Sequence, residues 1–158
     1  MILKNRIAIV TGAGSGIGRG GAEIMAREGA KVIVADLSPE RTEETVEIIT
    51  KAGGSAEARP TDVTDNDALH RLIADTHSKY GRIDILHSHA GIQVEGNLEE
   101  VTVDGLDKSY GLNVRPHFVA ARAVVPHMKA LGGGSIVNTS SNSGVFLDQG
   151  MLTYITTK

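Results

Sequence analysis

The sequence predicts a doubly wound α/β fold, a parallel sheet covered by helices on both faces. Two observations carry this. Short apolar runs alternate with longer stretches of helical periodicity, and a glycine-rich turn joins the first run to the first such stretch. At 158 residues the chain has the size of one domain, with enough residues to bury a core.

Arg6 to Val10 reads as the first buried strand, and Ile17 to Glu28 as the helix after it. A strand over Lys31 to Ala35 and a helix over Pro39 to Ala52 follow, then a weaker strand over Ser55 to Arg59. Helical periodicity returns over Asp65 to Tyr80, an apolar strand over Ile83 to His87, one long helix over Asp104 to Ala130, and a last strand over Ser135 to Thr139. Gly29, Gly53 and Gly81 sit just past three of the helices, where left-handed caps are common. Gly132 to Gly134 reads as the turn out of the long helix. Pro116 and Pro126 lack the N–H that this helix would use, so bends are expected near both, and the Leu112 carbonyl loses its partner at Pro116. Strands buried on both faces and joined by helices imply parallel pairing with right-handed crossovers. With no internal repeat, low-complexity tract or linker, residues 1–158 are expected to form a single domain.

Composition narrows the function classes. The hydrophobic fraction of 41% is that of a soluble globular chain, and no apolar run approaches the ~20 residues that cross a bilayer. No membrane partner is expected. With the first strand expected to start near Arg6, no secretory signal is expected ahead of it. There is no cysteine, which excludes disulfides, thiolate metal sites and cysteine nucleophiles and suits a reducing, cytoplasmic location. The net charge of −3 is spread without a basic block, so nucleic acid is not an expected partner.

Thr11-Gly12-Ala13-Gly14-Ser15-Gly16-Ile17-Gly18 leads from strand to helix. A helix start there aims free N–H groups and a positive dipole end at whatever lies above it, and glycines admit a diphosphate close to the backbone. A literal G-x-G-x-x-G at Gly16, Gly18 and Gly21 lies too far into the helix to be the loop, and no P-loop signature occurs. By itself the turn could be a tight strand-to-helix connection. Asp36 adds weight: it ends the second strand about 20 residues on, where an acid accepts hydrogen bonds from ribose hydroxyls. Its charge opposes a 2′-phosphate, and Ser15 and Leu37 offer no cation to receive one. NAD is expected in preference to NADP.

Tyr154 and Lys158 stand four residues apart, on one helical face. With the glycine turn, Asp36, Asp62-Val63, Ala90-Gly91, Asn113 and Ile136-Val137-Asn138-Thr139-Ser140-Ser141, they form an ordered series of motifs. Over its whole length the sequence resembles the short-chain dehydrogenase/reductase family, which implies a Rossmann-type sheet and hydride transfer between NAD(H) and a secondary alcohol or ketone. The resemblance assigns Tyr154 as general acid/base, Ser141 (by its spacing to the tyrosine, and not Ser140) as donor to the substrate oxygen, Lys158 as partner of the nicotinamide ribose, and Asn113 as holder of a relay water. It places Gly12, Ser15, Gly16, Ile17, Gly18, Asp36, Leu37, Asp62, Val63, His89, Ala90 and Gly91 around the cofactor with Tyr154 and Lys158, and implies a homo-oligomer, dimer or tetramer, built through the helix containing Phe118 to Val125. The chemistry agrees: a free phenol has a pKa of about 10, too high for a base near neutrality, and an adjacent ammonium and a positive nicotinamide favour its ionised form. Taken singly, Ser141, Asn113 and Asp62 would read as a strand-end serine, a helix residue and a turn residue.

Two departures stand out. Ser88 and His89 replace the two asparagines usual before Ala90-Gly91, which puts strand support and NAD affinity in question. His87 and His89 share a strand face, but without cysteine or an evident third ligand no metal is expected, and histidines satisfied by backbone groups are. The chain also stops at Lys158, without the further strands and substrate-covering segment of the family. A single turn after Tyr154 is expected to be poorly held, Lys158 to meet a terminal carboxylate, and Ile136-Val137 to lie on an open edge. A catalytically silent nucleotide-binding or interaction module is therefore the alternative to an enzyme.

Overall fold

The structure, a computed structural model, describes residues 1–146 and 148–158. Its elements run β1 (Ile7–Thr11), α1 (Gly16–Arg27), β2 (Lys31–Asp36), α2 (Pro39–Lys51), β3 (Ser55–Pro60), α3 (Asn66–Tyr80), β4 (Ile85–Ser88), α4 (Val103–Asn113), α5 (Arg115–Ala130), β5 (Ser135–Asn138) and α6 (Leu152–Thr157), with a 3-10 turn at Asn142–Gly144. The five strands form one sheet in the order β3-β2-β1-β4-β5. Every pairing is parallel.

β1 is central and buried throughout, because its alternating side chains feed two separate cores. Ile7 and Ile9 join Ile33, Leu69, Ile73, Leu86 and Val124 on the side of α3 and α5. Ala8 and Val10 join Ala22, Ala26, Val32, Val34 and Ile49 on the side of α1 and α2. The small alanines of α1 bring that helix close to the sheet, which sets the height of its N-terminus above the strand ends. Gly29, Gly53 and Gly81 all have positive φ, as their cap positions require.

The long helix expected from Asp104 to Ala130 is two helices. The chain breaks at Val114 (φ −119°, ψ −59°), and Pro116 stands in the first turn of α5, where its missing N–H has no intrahelical use. Pro126, by contrast, lies within α5 without ending it. The single turn expected to be unheld is instead docked. Thr153 donates to the Val94 carbonyl at 2.9 Å, and Thr157 receives the Asn113 side-chain amide at 2.9 Å. Residue Leu152 donates its N–H to Gly96 at 3.1 Å. β5 does form the sheet edge, with Val137 48% exposed. No helix among the described residues is long and apolar enough to cross a membrane.

Asp84 ties this sheet together just before β4. Its carboxylate accepts from Arg6 Nη1 and Arg82 Nε, each at 2.8 Å, from Arg82 Nη2 at 2.5 Å and from the Ile7 N–H at 2.9 Å. Burial pushes the carboxyl pKa up, but the bonds from Arg82, Ile7 and Arg6 outweigh it and hold the group at about 2. Since the folded value lies below the unfolded one, the stabilisation is full above pH ~4 and is lost as pH falls toward ~2. Asp84→Asn is expected to cost about 2–3 kcal/mol at neutral pH, discounted for the exposed guanidiniums. It should also flatten the acid limb of denaturant stability measured against pH; an unchanged limb would assign that limb to other carboxylates.

Candidate active site

A cleft of about 1050 Å³ opens at the carboxyl ends of the strands. It spans β1 and β4, where the winding of the sheet reverses, the usual place for ligands in open α/β sheets. Each strand delivers one part: the glycine turn follows β1, Asp36 ends β2, Asp62-Val63 follows β3, His89 to Gly91 follows β4, and Thr139 to Asn142 follows β5. Tyr154 and Lys158 reach it from α6 and its end.

The glycine turn is shaped for a close ligand. Gly12 has φ +67°, and a Cβ there would lie 2.9 Å from the Ala90 backbone. A Cβ on Gly18 would lie 2.1 Å from the Gly12 carbonyl oxygen, so helix and turn touch backbone to backbone. Ser38, Asp65 and Thr102 cap α2, α3 and α4 with their side chains, whereas Ser15 makes no such bond at the start of α1. The first-turn N–H groups of α1 therefore face the cleft without a side-chain acceptor, which fits an anionic ligand.

Asp36 is held in place by its neighbours: Oδ2 accepts from Gly14 N at 3.0 Å and Oδ1 from Ser38 N at 3.2 Å. Asp62 turns its carboxylate into its own loop, accepting from the Thr64 N–H at 2.8 Å and hydroxyl at 2.7 Å, while the residue still lines the cleft.

At the other end, the Lys158 ammonium donates to the Thr139 carbonyl at 3.0 Å and lies 5.9 Å from the centre of the Tyr154 ring. It is directed to that carbonyl, while the Lys158 carbonyl oxygen accepts from Ser140 at 2.5 Å. Burial lowers the lysine pKa. Ser141 accepts from the Ser143 N–H at 3.2 Å as it opens the 3-10 turn, and its hydroxyl lies 3.2 Å from that of Ser143. Ser143 in turn donates to Asp148.

Gly12, Ser15, Gly16, Ile17, Asp36, Leu37, Asp62, Val63, His89, Ala90, Gly91, Ser141, Tyr154 and Lys158 all line the cleft. Gly18 and Asn113 stand behind it. The Asn113 side chain is buried and held by three bonds, accepting from Ile92 N at 2.7 Å and donating to Ile92 O at 2.8 Å and Thr157 Oγ1 at 2.9 Å. Its amide is a strut between the loop after β4 and α6.

The histidines also differ from expectation. Both bond a side chain, not backbone: His87 Nε2 and His89 Nδ1 each lie 3.1 Å from the Thr139 hydroxyl. His87 Nδ1 and Ser88 Oγ are buried without a partner. Among the described residues no group of three or more His, Cys, Asp or Glu is placed to hold a metal ion.

Arg41 and Thr139 escaped the sequence reading. Arg41 lines the cleft beside Asp36, and its signal was five-residue spacing from that acid into the first turn of α2. Thr139 acts through its carbonyl and a cross-strand hydroxyl, which no spacing along the chain announces.

Comparison with known proteins agrees with this geometry. The family model described as short chain dehydrogenase matches residues 6–158. A protein of Thermotoga maritima named as an uncharacterized oxidoreductase is 41% identical over 145 residues, covering 92% of this chain and 57% of the relative. The 2,5-dichloro-2,5-cyclohexadiene-1,4-diol dehydrogenase LinX of Sphingobium indicum is 36% identical over 156 residues, covering 99% of this chain and 62% of that protein. The chain thus spans less than two thirds of the length of these relatives. Among solved structures, a 7α-hydroxysteroid dehydrogenase complexed with NADH and 7-oxo glycochenodeoxycholic acid superposes with a TM-score of 0.93 at 32% identity, over 98% of this chain and 60% of that one. A family match running from Arg6 to Lys158, on a sheet shared with a dehydrogenase at that TM-score, places the chain in the short-chain dehydrogenase family.

Proposed function

We propose that the protein carrying this chain is an oxidoreductase that moves hydride between NAD(H) and a secondary alcohol or its ketone, with residues 1–158 as its cofactor-binding domain. The observation that supports this most is the meeting of the uncapped α1 start, Asp36 and the Tyr154–Lys158 pair in one cleft. The first-turn N–H groups of α1 would hold the diphosphate, Asp36 the adenosine ribose and Lys158 the nicotinamide ribose. When bound, the nicotinamide accepts hydride from the alcohol carbon or returns it to a carbonyl carbon. Tyr154 takes or returns the hydroxyl proton, and Ser141 holds the substrate oxygen in line with it. Dehydrogenases of known substrate among the relatives, including a cyclohexanol dehydrogenase of an Acinetobacter species 32% identical over 156 residues, support an alcohol or ketone as the small-molecule substrate. Leu106, Tyr110 and Phe118 are exposed on α4 and α5, which supports self-association through that face.

NAD is favoured over NADP because the Asp36 carboxylate is anchored by two backbone N–H groups and cannot swing away from a 2′-phosphate. Arg41 is the counterweight, a cation in the same end of the cleft. Asp36→Ala is therefore expected to weaken NADH binding about tenfold or more, since one hydrogen-bonded charge is worth roughly 1.5–3 kcal/mol. It should strengthen NADPH binding through Arg41. Calorimetry with both cofactors tests this. Unchanged NADH affinity in the variant would remove Asp36 from the ribose site, and no binding by the folded wild-type chain would overturn the cofactor reading.

A further inference from the structure

The β4 end carries two half-buried imidazoles on one hydroxyl, a feature the proposed chemistry has not used. We propose that His87 and His89 are positioning residues for Lys158, acting through Thr139, and that a proton taken up by this cluster weakens binding of the oxidised nicotinamide relative to the reduced one. The inference rests on the cofactor reading above.

The connection is short. The Thr139 hydroxyl is shared by His87 Nε2 and His89 Nδ1, each at 3.1 Å, and the carbonyl of the same residue takes the Lys158 ammonium at 3.0 Å. Thr139 is fixed lengthwise as well, by its N–H on the Ser88 carbonyl at 3.0 Å. A hydroxyl has one hydrogen, so it donates to one ring nitrogen and accepts from the other. That arrangement satisfies all three groups only while at least one contacting nitrogen is bare. If both rings donate, the hydroxyl hydrogen loses its acceptor in a half-buried place, and the Thr139 side chain must turn from at least one ring. That loss falls on the same residue whose carbonyl holds Lys158.

Charge acts in the same direction. His89 and Lys158 line the cleft together. Burial first, then Lys158 and His117, hold His89 below the ordinary imidazole value; burial and His89 do the same to His87. From α5, His117 is likewise lowered by burial and by Lys158. On the α1 side, Gly18 stands against the His89 ring and Gly21 against the His87 ring, and neither brings a charge. Every charge acting on the pair is thus positive when protonated, and an oxidised nicotinamide adds another. By linkage, a ligand that disfavours protonation is itself disfavoured by acid, and the reduced ring, being neutral, is spared.

The test is calorimetric affinity for NAD+ and NADH with this chain from about pH 8 to about pH 5, the span over which histidine titrates. The ratio of the NAD+ to the NADH dissociation constant is expected to rise about threefold to tenfold on acidification. The His87→Asn/His89→Asn double variant should abolish the rise. Thr139→Val should diminish it to the part carried by charge alone, whereas Thr139→Ser, which keeps the hydroxyl, should retain it in full; melting curves establish that each variant is folded. A flat ratio in wild type overturns the inference while leaving the cofactor reading intact. Retention of the rise in the double histidine variant, or of the full rise in Thr139→Val, also overturns it. Absence of binding to either cofactor at every pH overturns both.

Discussion

Tyr154→Phe is expected to lower the rate of hydride transfer by about 10²- to 10⁴-fold, the usual contribution of a positioned acid/base, while leaving NADH affinity within about twofold of wild type. The chain has three tyrosines, and their surroundings separate them. Tyr80 gives its hydroxyl to Glu57 and is pushed up to about 12 by burial and by that carboxylate. Tyr110 lies on the outer face of α4, 51% exposed. Tyr154 alone of the three lines the cleft, one helical turn from an ammonium. Phenylalanine keeps the ring and its packing and removes only the oxygen that exchanges the proton. The measurement is single-turnover NADH absorbance with the protein and a panel of secondary alcohols. A variant that keeps most of the rate would show that another group moves the proton.

Gly18→Ala should have the largest effect of any single methyl in the glycine turn. The added carbon would stand 2.1 Å from the Gly12 carbonyl oxygen, 2.8 Å from its carbon and 2.9 Å from the His89 ring. Two of those three atoms are backbone, in a turn whose shape is set by β1 and by the first turn of α1, so no rotamer change relieves the contact. Such overpacking costs about 1–3 kcal/mol, and any relief that lifts α1 from the turn withdraws its N–H groups from a bound diphosphate. A lowered melting temperature together with at least about tenfold weaker NADH binding is expected. Gly20→Ala provides the control on the same helix, since nothing lies within 4 Å of its added carbon. It should be neutral or stabilising by up to about 1 kcal/mol, as alanine for glycine is in an exposed helix. If both variants behave alike, the tight contact between Gly12 and Gly18 is not what the turn depends on.

Much was decided by local chemistry and so was legible along the chain. The second strand announces itself through Val32 to Ala35, because a run buried on both faces must be apolar at every position, and Gly29, Gly53 and Gly81 do so because only glycine takes a left-handed cap without strain. The glycine turn and Asp36 were readable in the same way, since each occupies a position defined by the strand before it, whereas the Tyr154–Lys158 pair stood out only through the family resemblance. Tertiary structure decided the rest. The break at Val114 needed Pro116 to choose between bending a helix and starting one, and in the fold it stands in the first turn of α5. Asn113 became a strut because the loop after β4 and Thr157 of α6, 21 and 44 residues away along the chain, come within reach of one amide. His87 and His89 met Thr139 only because β4 and β5 are neighbours in register, so that pairing across the sheet brings together groups that the sequence holds about 50 residues apart.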